Sequence, residues 1–218
     1  MSSSFAQKQV SISSDRRLGY RTAGSGPALV LLHGIGSGSI SFEAQLTSLS
    51  EQYRVIAWDT PGYGGSDDPP SENPSAQDYA ADVVALMDAL GVERAHVLGH
   101  SLGGLIATAL VANHAQRINH LVLSSPAAGL ARVDAATREA RTKARIDDIM
   151  TLGAAEMAQR RGPGMLAASA GPTVRQQAID IMSRVRPPGY CAAARLLAGG
   201  DAFAMVKRWP IPHPSTLV

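Results

Sequence analysis

The sequence predicts an α/β fold with a mostly parallel sheet and helices on both faces. Three observations lead to this prediction: apolar runs typical of buried strands recur along residues 28–123, stretches with helical periodicity separate them, and glycine-containing turns mark the junctions. Strands that alternate with helices favour parallel sheets, because a parallel connection is long enough to hold a helix. With 45% hydrophobic and 17% charged residues in a chain of 218, the composition is that of an ordinary globular protein.

The first part of the chain supplies the opening strands of this sheet. A hairpin is expected where two short strands flank the polar turn Ser14-Asp15. Two buried strands then follow with a helix between them, and the second of these leads into Asp59 and a glycine-rich loop. The expected strands are residues 9–13, 16–22, 27–36 and 53–58, and the expected helix is 41–51.

The next helix is expected over residues 75–90. Its apolar side chains recur at helical spacing on one face, and Gly91 marks its end. The apolar residues of this face are Tyr79, Val83, Leu86, Met87 and Leu90.

Residues 96–104 combine an apolar strand, a serine between glycines and the start of a helix. Gly99 and Gly103 leave room for a sharp, strained turn that lifts the Ser101 hydroxyl above the sheet edge. The N-terminus of the following helix directs N–H groups and a partial positive charge at an oxyanion forming beside Ser101. The pattern therefore predicts a nucleophile elbow, with a helix over 101–113 and a further strand over 120–123.

Three segments in this order resemble the α/β-hydrolase family: the strand ending at His33-Gly34, the strand leading to Asp59, and the Ser101 elbow. The resemblance is close over residues 10–126. It implies the α/β-hydrolase fold, with the last strands missing, and a serine hydrolase. Ser101 is then the nucleophile.

The same resemblance assigns roles around Ser101. The backbone N–H groups of Ile35 and Leu102 would form the oxyanion hole. His33 and His100 would neighbour the site and position loop backbone, as would Gly34 beside them. No metal site and no cofactor are expected.

The resemblance also divides the chain. Residues 1–126 would be the N-terminal part of the hydrolase core, 127–207 a mobile helical cap, and 208–218 the start of a returning core strand. Breaks in the cap are expected at its glycine and proline clusters, such as 162–164. The segment 189–195, with the later Asp201, resembles the cap of 3-oxoadipate enol-lactonases.

In the family the triad order is serine, then acid, then histidine. The sequence ends where the acid-bearing strand would begin, so we expect a C-terminally truncated chain that lacks the triad acid and histidine. The strand at 121–123 is then expected to be an uncovered, aggregation-prone edge. Asp59 is expected to accept backbone hydrogen bonds, and the remaining histidines to lie away from the catalytic strand ends or in a linker. These histidines are His96, His114, His120 and His213.

The charge is unevenly distributed. Residues 127–208 hold 13 Lys or Arg and 7 Asp or Glu, in a chain whose net charge is +2. A basic cap would attract a carboxylate-bearing substrate. Solvated helix faces with pairs such as Asp134 with Arg138 are the alternative explanation.

Several function classes lack support. The single cysteine, Cys191, excludes a disulfide within the chain and fits a reducing compartment. No phosphate-binding glycine motif opens a helix, and no Cys/His spacing indicates a metal. No leader or membrane-spanning run is evident, so we expect a cytoplasmic protein with no nucleic-acid or membrane partner.

The expected function is therefore hydrolysis of an ester, lactone or related small acyl substrate. Carbon–carbon bond hydrolysis, perhydrolysis and acyl transfer stay open, because the same site hosts them. A non-catalytic ligand-binding member of the fold and an inactive fragment of a longer hydrolase are the alternatives. The oligomeric state is left open.

Overall fold

The computed structural model describes residues 4–210 and 215–217. Seven strands form one sheet in the order β1-β2-β4-β3-β5-β6-β7. The first two pairings, β1 with β2 and β2 with β4, are antiparallel, and the other four are parallel. The strands are β1 Lys8–Ser11, β2 Arg17–Ala23, β3 Ala28–Leu32, β4 Arg54–Trp58, β5 Ala95–His100, β6 Ile118–Ser124 and β7 Ser215–Leu217.

Helices cover both faces of the sheet because successive strand residues point to opposite sides. Leu31 packs with residues of α1 on one face, whereas its neighbours Val30 and Leu32 pack with α2 and α3 on the other. The predicted α/β class is confirmed. These helices are α1 Glu43–Leu49, preceded by a 3₁₀ turn over Ser39–Phe42, α2 Ala76–Ala89 and α3 Leu102–His114.

Helix α2 shows how local sequence sets an element. Ser75 accepts a hydrogen bond from the Asp78 N–H, and the Asp78 carboxylate accepts one from the Ser75 N–H, which makes a capping box. Gly91 follows the C-terminus with φ +67°. The predicted span of 75–90 is thus confirmed to within a residue at each end.

Among the residues described between β6 and β7, four α-helices lie within 127–207, which we call the helical segment. Its breaks include the predicted 162–164 turn and one that was not predicted, at Gly153 (φ 73°, ψ 169°) inside α4. The helices are α4 Ala135–Arg161, α5 Pro172–Met182, α6 Pro187–Gly199 and α7 Ala202–Val206.

Two expectations were wrong. Strand β6 is not the edge of the sheet, because β7 pairs with it in parallel, with Ser215 opposite His120 and Leu217 opposite Val122. Asp134 does not pair with Arg138: it caps α4 by accepting the Thr137 N–H, while the Arg138 guanidinium donates to the Ala131 carbonyl. Both outcomes depend on backbone groups that charge and hydropathy patterns do not reveal.

None of the helices within the described residues combines the length and the apolar character needed to cross a membrane.

Candidate active site

Ser101 occupies a strained turn between β5 and α3. Its backbone angles are φ 53° and ψ −115°, a region that non-glycine residues rarely adopt and that is typically found at functional sites. The glycines on either side permit the turn. A Cβ on Gly99 would lie 2.4 Å from the Gly103 carbonyl oxygen, and one on Gly103 would lie 2.0 Å from the Leu32 carbonyl oxygen.

Backbone hydrogen bonds hold this turn in place. The Ser101 N–H donates to the Ser124 carbonyl at the end of β6 (3.2 Å), and the Ser101 carbonyl accepts from the N–H groups of Gly104 and Ala127, each at 2.9 Å. The turn is therefore fixed to the neighbouring strand end and to its own helix, which leaves the half-buried side chain at the C-terminal edge of the sheet.

The turn after β3 packs directly against Ser101. A Cβ on Gly34 would lie 3.1 Å from the Ser101 Cβ and 3.6 Å from its Oγ, so the backbone of this turn lies close to the hydroxyl. A hydrogen bond from the Ser37 N–H to the Gly34 carbonyl, 3.2 Å long, closes this turn. The peptide of Ile35 lies within it, next to the predicted nucleophile.

The N–H of Leu102 belongs to the first turn of α3, where no intrahelical acceptor exists. The 13-residue helix also places its positive dipole end beside Ser101. Leu102 directly follows Ser101, and Ile35 directly follows Gly34, on which a Cβ would lie 3.1 Å from the Ser101 Cβ. The assignment of these two N–H groups to an oxyanion hole stays a prediction.

His33 is fully buried, and both nitrogens of its ring are hydrogen-bonded to neighbouring groups. Its Nδ1 donates to the Gly34 carbonyl (2.8 Å), and its Nε2 accepts from the Thr60 N–H (3.0 Å). Burial lowers the pKa of His33, although the Gly34 carbonyl and the Asp59 charge oppose the change. The geometry is that of a neutral histidine that holds two turns together.

His100 precedes the nucleophile and is exposed. Its Nδ1 donates to the Ser124 carbonyl (3.1 Å), and its Cδ2 lies 3.4 Å from where a Cβ on Gly34 would be. The ring therefore lies between the ends of β3, β5 and β6, next to the candidate site.

The other described histidines lie elsewhere. His96 and His120 stack on each other across β5 and β6 with ring centroids 5.0 Å apart, and His114 ends α3. His213 lies outside the described residues. In the part of the chain that the structure describes, no histidine nitrogen is hydrogen-bonded to the Ser101 hydroxyl.

Asp59 is buried and accepts hydrogen bonds, as the sequence predicted. Its carboxylate accepts from the Ser39 N–H (2.8 Å), the Gln7 amide (2.7 Å) and the Gly65 N–H (3.3 Å). These contacts connect the residue before β1, the 3₁₀ turn and the glycine-rich loop. Asp59 is therefore a structural residue in this fold.

Sequence reasoning did not single out two residues that support the turn after β3. The Tyr63 hydroxyl accepts a long hydrogen bond from the Gly36 N–H (3.4 Å), and its ring lies 5.1 Å from the His33 ring. Met182, at the end of α5, lies over the same turn: its Cε would be 2.7 Å from a Cβ on Gly36, whose φ is +75°. The tyrosine between glycines at 62 and 64 was the available signal for Tyr63, whereas Met182 carries none.

Within the described residues, no cluster of three or more His, Cys, Asp or Glu side chains could hold a metal ion.

A comparison with known protein families matches residues 27–148 to the alpha/beta hydrolase fold. The chain belongs to the α/β-hydrolase family. The match spans β3 to the first part of α4, and so includes the Ser101 elbow and the turn after β3.

Individual relatives agree with this family. An uncharacterized protein of Mycobacterium tuberculosis is 38% identical over 109 residues, which are 50% of this chain and 32% of that protein. The 3-oxoadipate enol-lactonase 1 of Acinetobacter baylyi is 29% identical over 189 residues, 85% of this chain and 68% of that enzyme. The crystal structure of an enol-lactonase from Burkholderia xenovorans superposes with a TM-score of 0.80 and 27% identity, over 92% of this chain and 77% of that one.

This hydrolase-family chain spans only about a third of the length of its mycobacterial relative.

Proposed function

We propose that this chain is a serine hydrolase in which Ser101 attacks an ester, a lactone or a related small acyl substrate. The observation that carries the proposal is the strained backbone of Ser101 at the start of α3 (φ 53°, ψ −115°). Such strain costs about 1–3 kcal/mol and is kept where it serves function. Here it exposes the hydroxyl to the backbone of the turn after β3.

The proposed reaction begins when Ser101 Oγ forms a bond to the substrate carbonyl carbon. The negative charge that develops on the carbonyl oxygen would be stabilised by the N–H groups of Ile35 and Leu102, which is the usual role of an oxyanion hole. The general base would take the Ser101 proton and return it to the alcohol oxygen as the intermediate collapses and the ester bond breaks. It would then take a proton from the water that attacks the acyl-enzyme and return it to Ser101 Oγ as the carboxylic acid is released. Asp59 and His33 would hold the turns in position without touching the substrate.

The general base is a separate part of the proposal. A serine hydroxyl needs an adjacent base to become a good nucleophile, and none of the described histidines is bonded to Ser101. We therefore assign the base and its acid to groups other than these histidines. Without them the expected catalysis is limited to what an oxyanion hole and binding provide, about 10³–10⁴ over water.

The relatives support the substrate class. Two of them are named enol-lactonases, which makes a lactone or ester the favoured substrate. An anionic substrate gains little from the charge of the helical segment, because many of its cations are already paired with carboxylates. These pairs are Arg132–Asp201, Lys143–Asp147, Arg160–Asp148, Arg161–Asp148, Arg186–Asp68 and Arg195–Glu72.

One observation favours a second candidate, a ligand-binding member of the fold without turnover. It is the lack, among the described residues, of a histidine bonded to Ser101. This candidate predicts saturable binding of an acyl compound with no acylation of Ser101. Carbon–carbon bond hydrolysis, perhydrolysis and acyl transfer would use the same nucleophile and need substrate profiling to separate.

Fluorophosphonate labelling, followed by intact mass spectrometry, tests the proposal. We expect one adduct per chain on the folded protein, none on the Ser101→Ala variant and none after heat denaturation. Ser124→Ala is the matched control, because this exposed serine lies at the adjacent strand end, and it should label like the unaltered chain.

Two results would contradict the proposal. Labelling that survives Ser101→Ala would place the reactive group elsewhere. A folded sample, shown by cooperative unfolding, that does not label would mean that this polypeptide alone lacks a working nucleophile, and the ligand-binding candidate would then be tested by calorimetry with a lactone.

A further inference from the structure

The peptide unit that carries the Ile35 N–H is held by hydrogen bonds at its other end. The carbonyl of this unit belongs to Gly34, and it accepts from His33 Nδ1 (2.8 Å) and from the Ser37 N–H (3.2 Å). Because a peptide unit is planar and trans, two bonds to its carbonyl also fix the direction of its N–H. The start of the turn after β3 is therefore set by groups within the turn itself.

The next residue, Gly36, is held less firmly by hydrogen bonding. Its N–H donates to the Tyr63 hydroxyl across 3.4 Å, which is long for a hydrogen bond and therefore weak. Its φ of +75° strongly favours glycine, so residue 36 has no side chain of its own with which to pack. Packing from another part of the chain is thus the stronger constraint on this end of the turn.

Met182 of α5 provides this packing. A Cβ on Gly36 would lie 2.7 Å from Met182 Cε, 3.5 Å from its Cγ and 3.7 Å from its Sδ. The methionine thus fills the space that a side chain at position 36 would take. Met182 is 3% exposed and belongs to the same core cluster as Ile35 and Tyr63, and its long, adaptable side chain suits such a gap.

The chain that follows α5 has contacts of its own with the core. The Arg186 guanidinium donates to the Ser66 carbonyl and pairs with Asp68 at 2.8 Å, in and just after the glycine-rich loop. These contacts hold the end of α5 without using the side chain of Met182. Shortening that side chain should therefore remove its packing on Gly36 and leave the helix end in place.

We propose that Met182 is a positioning residue for the oxyanion hole. By packing on Gly36, its side chain holds the Ile35 N–H where it can reach a substrate oxygen. The inference rests on the proposed function, in which this N–H stabilises the charge that develops on that oxygen. A contact that strengthens only as the charge develops lowers the barrier without tightening ground-state binding. The helical segment would thus contribute to the reaction of Ser101 itself.

The kinetics of fluorophosphonate labelling test the proposal on the full chain. For Met182→Ala we expect the limiting rate constant of Ser101 labelling to fall about tenfold, less than the loss of about 10²–10³ on removing a whole oxyanion donor. The concentration of reagent that gives half of the limiting rate should change by less than about twofold, because ground-state binding is unaffected. Met182→Leu conserves the volume of the side chain and should keep the rate within about twofold of the unaltered chain.

Met205→Ala is the matched control. It makes the same truncation at a methionine of the helical segment that is similarly buried, 4% exposed, but that belongs to α7. This variant should label at the rate of the unaltered chain. An equal fall in the labelling rate in Met182→Ala and Met205→Ala would overturn the proposal, because the fall would then reflect a general loss of stability.

Amide hydrogen exchange separates this inference from the proposed function, because it does not require Ser101 to react. We expect exchange of the Gly36 N–H to become about tenfold faster in Met182→Ala, through local opening of the turn, and to stay unchanged in Met205→Ala. An unchanged exchange rate in Met182→Ala would overturn the proposal. If the unaltered chain does not label, the proposed function fails, and the Gly36 exchange rate still decides whether Met182 holds the turn.

A nuclear Overhauser effect between the Met182 methyl group and the Gly36 Hα protons tests the contact without any variant. We expect this effect in the unaltered chain. Its absence would overturn the proposal even if Met182→Ala did not fold.

Discussion

The turns around Ser101 and the helical segment use glycine in opposite ways. At the elbow, Gly99 and Gly103 lie against backbone at distances that no side chain could occupy. In the helical segment, a Cβ on Gly164, Gly171 or Gly199 would meet nothing within 4 Å. Close backbone approach therefore fixes residue identity around the predicted nucleophile, whereas these three positions of the helical segment have room for a side chain.

The exceptions in the helical segment follow the same rule. A Cβ on Gly189, near the start of α6, would lie 2.5 Å from the Gly62 carbonyl oxygen in the glycine-rich loop, and one on Gly200 would lie 2.4 Å from a Leu105 methyl of α3. The segment is thus constrained where it meets the core. Close approach also constrains a position inside the segment, since a Cβ on Gly129 would lie 2.0 Å from the Gly200 carbonyl oxygen. Close approach of other atoms, rather than the region in which a residue lies, therefore sets the constraint.

The largest effect that tests this comparison is expected from Gly103→Ala. The new methyl group would lie 2.0 Å from the Leu32 carbonyl oxygen, and neither backbone can move without disrupting β3 or α3. We expect a loss of about 3 kcal/mol in the free energy of unfolding, the upper end of typical overpacking costs. Urea unfolding, followed by far-ultraviolet circular dichroism, measures it, and a loss below about 1 kcal/mol would show that the elbow can relax.

A smaller loss in the free energy of unfolding is expected on acidification. Its source is His33, which lies in the core. Burial lowers the pKa of His33 below the ordinary value of 6.5, so the unfolded chain takes up a proton at a higher pH than the folded chain does. Stability is therefore full above about pH 6.5 and falls by up to about 1.4 kcal/mol per pH unit below it, until the folded pKa is reached. The helical segment contains no histidine, so it contributes nothing of this kind.

Urea unfolding between pH 7.5 and pH 5 tests this window. His33→Gln should be less stable at pH 7.5 but should lose most of the acid dependence. His96→Gln is the control. Partial burial also lowers the pKa of His96, but its ring is less buried than that of His33, so this variant should keep most of the pH dependence of stability. An unchanged pH slope in His33→Gln would mean that another group is responsible.

The smallest effect is expected from Gly199→Ala, in the last turn of α6. The added methyl group meets no atom within 4 Å, and alanine restricts the unfolded chain more than glycine does. We expect a gain of about 0.4–1 kcal/mol in the free energy of unfolding. Thermal unfolding measures it, and a loss would indicate that the helical segment is more tightly packed than the distances show.

Local signals explain what the sequence could predict. The glycines around Ser101 and the limits of α2 at Ser75 and Gly91 each specify backbone geometry within a few residues, and the structure has both. The break at Gly153 was missed because an isolated glycine is tolerated in a helix. The contact of Met182 with Gly36 joins residues far apart in the chain, and nothing local to Met182 indicates it.

The place of the helical segment between β6 and β7 has a consequence for synthesis. Strand β6 is completed at Ser124, but its partner β7 begins only at Ser215, so every residue from 125 to 214 must leave the ribosome before the two can pair. Until then, the backbone N–H and C=O groups on the β7 side of β6 have no strand to pair with. Such an exposed edge is aggregation-prone and is a target for chaperones, so the translation rate across residues 125–214 should influence the yield of folded protein.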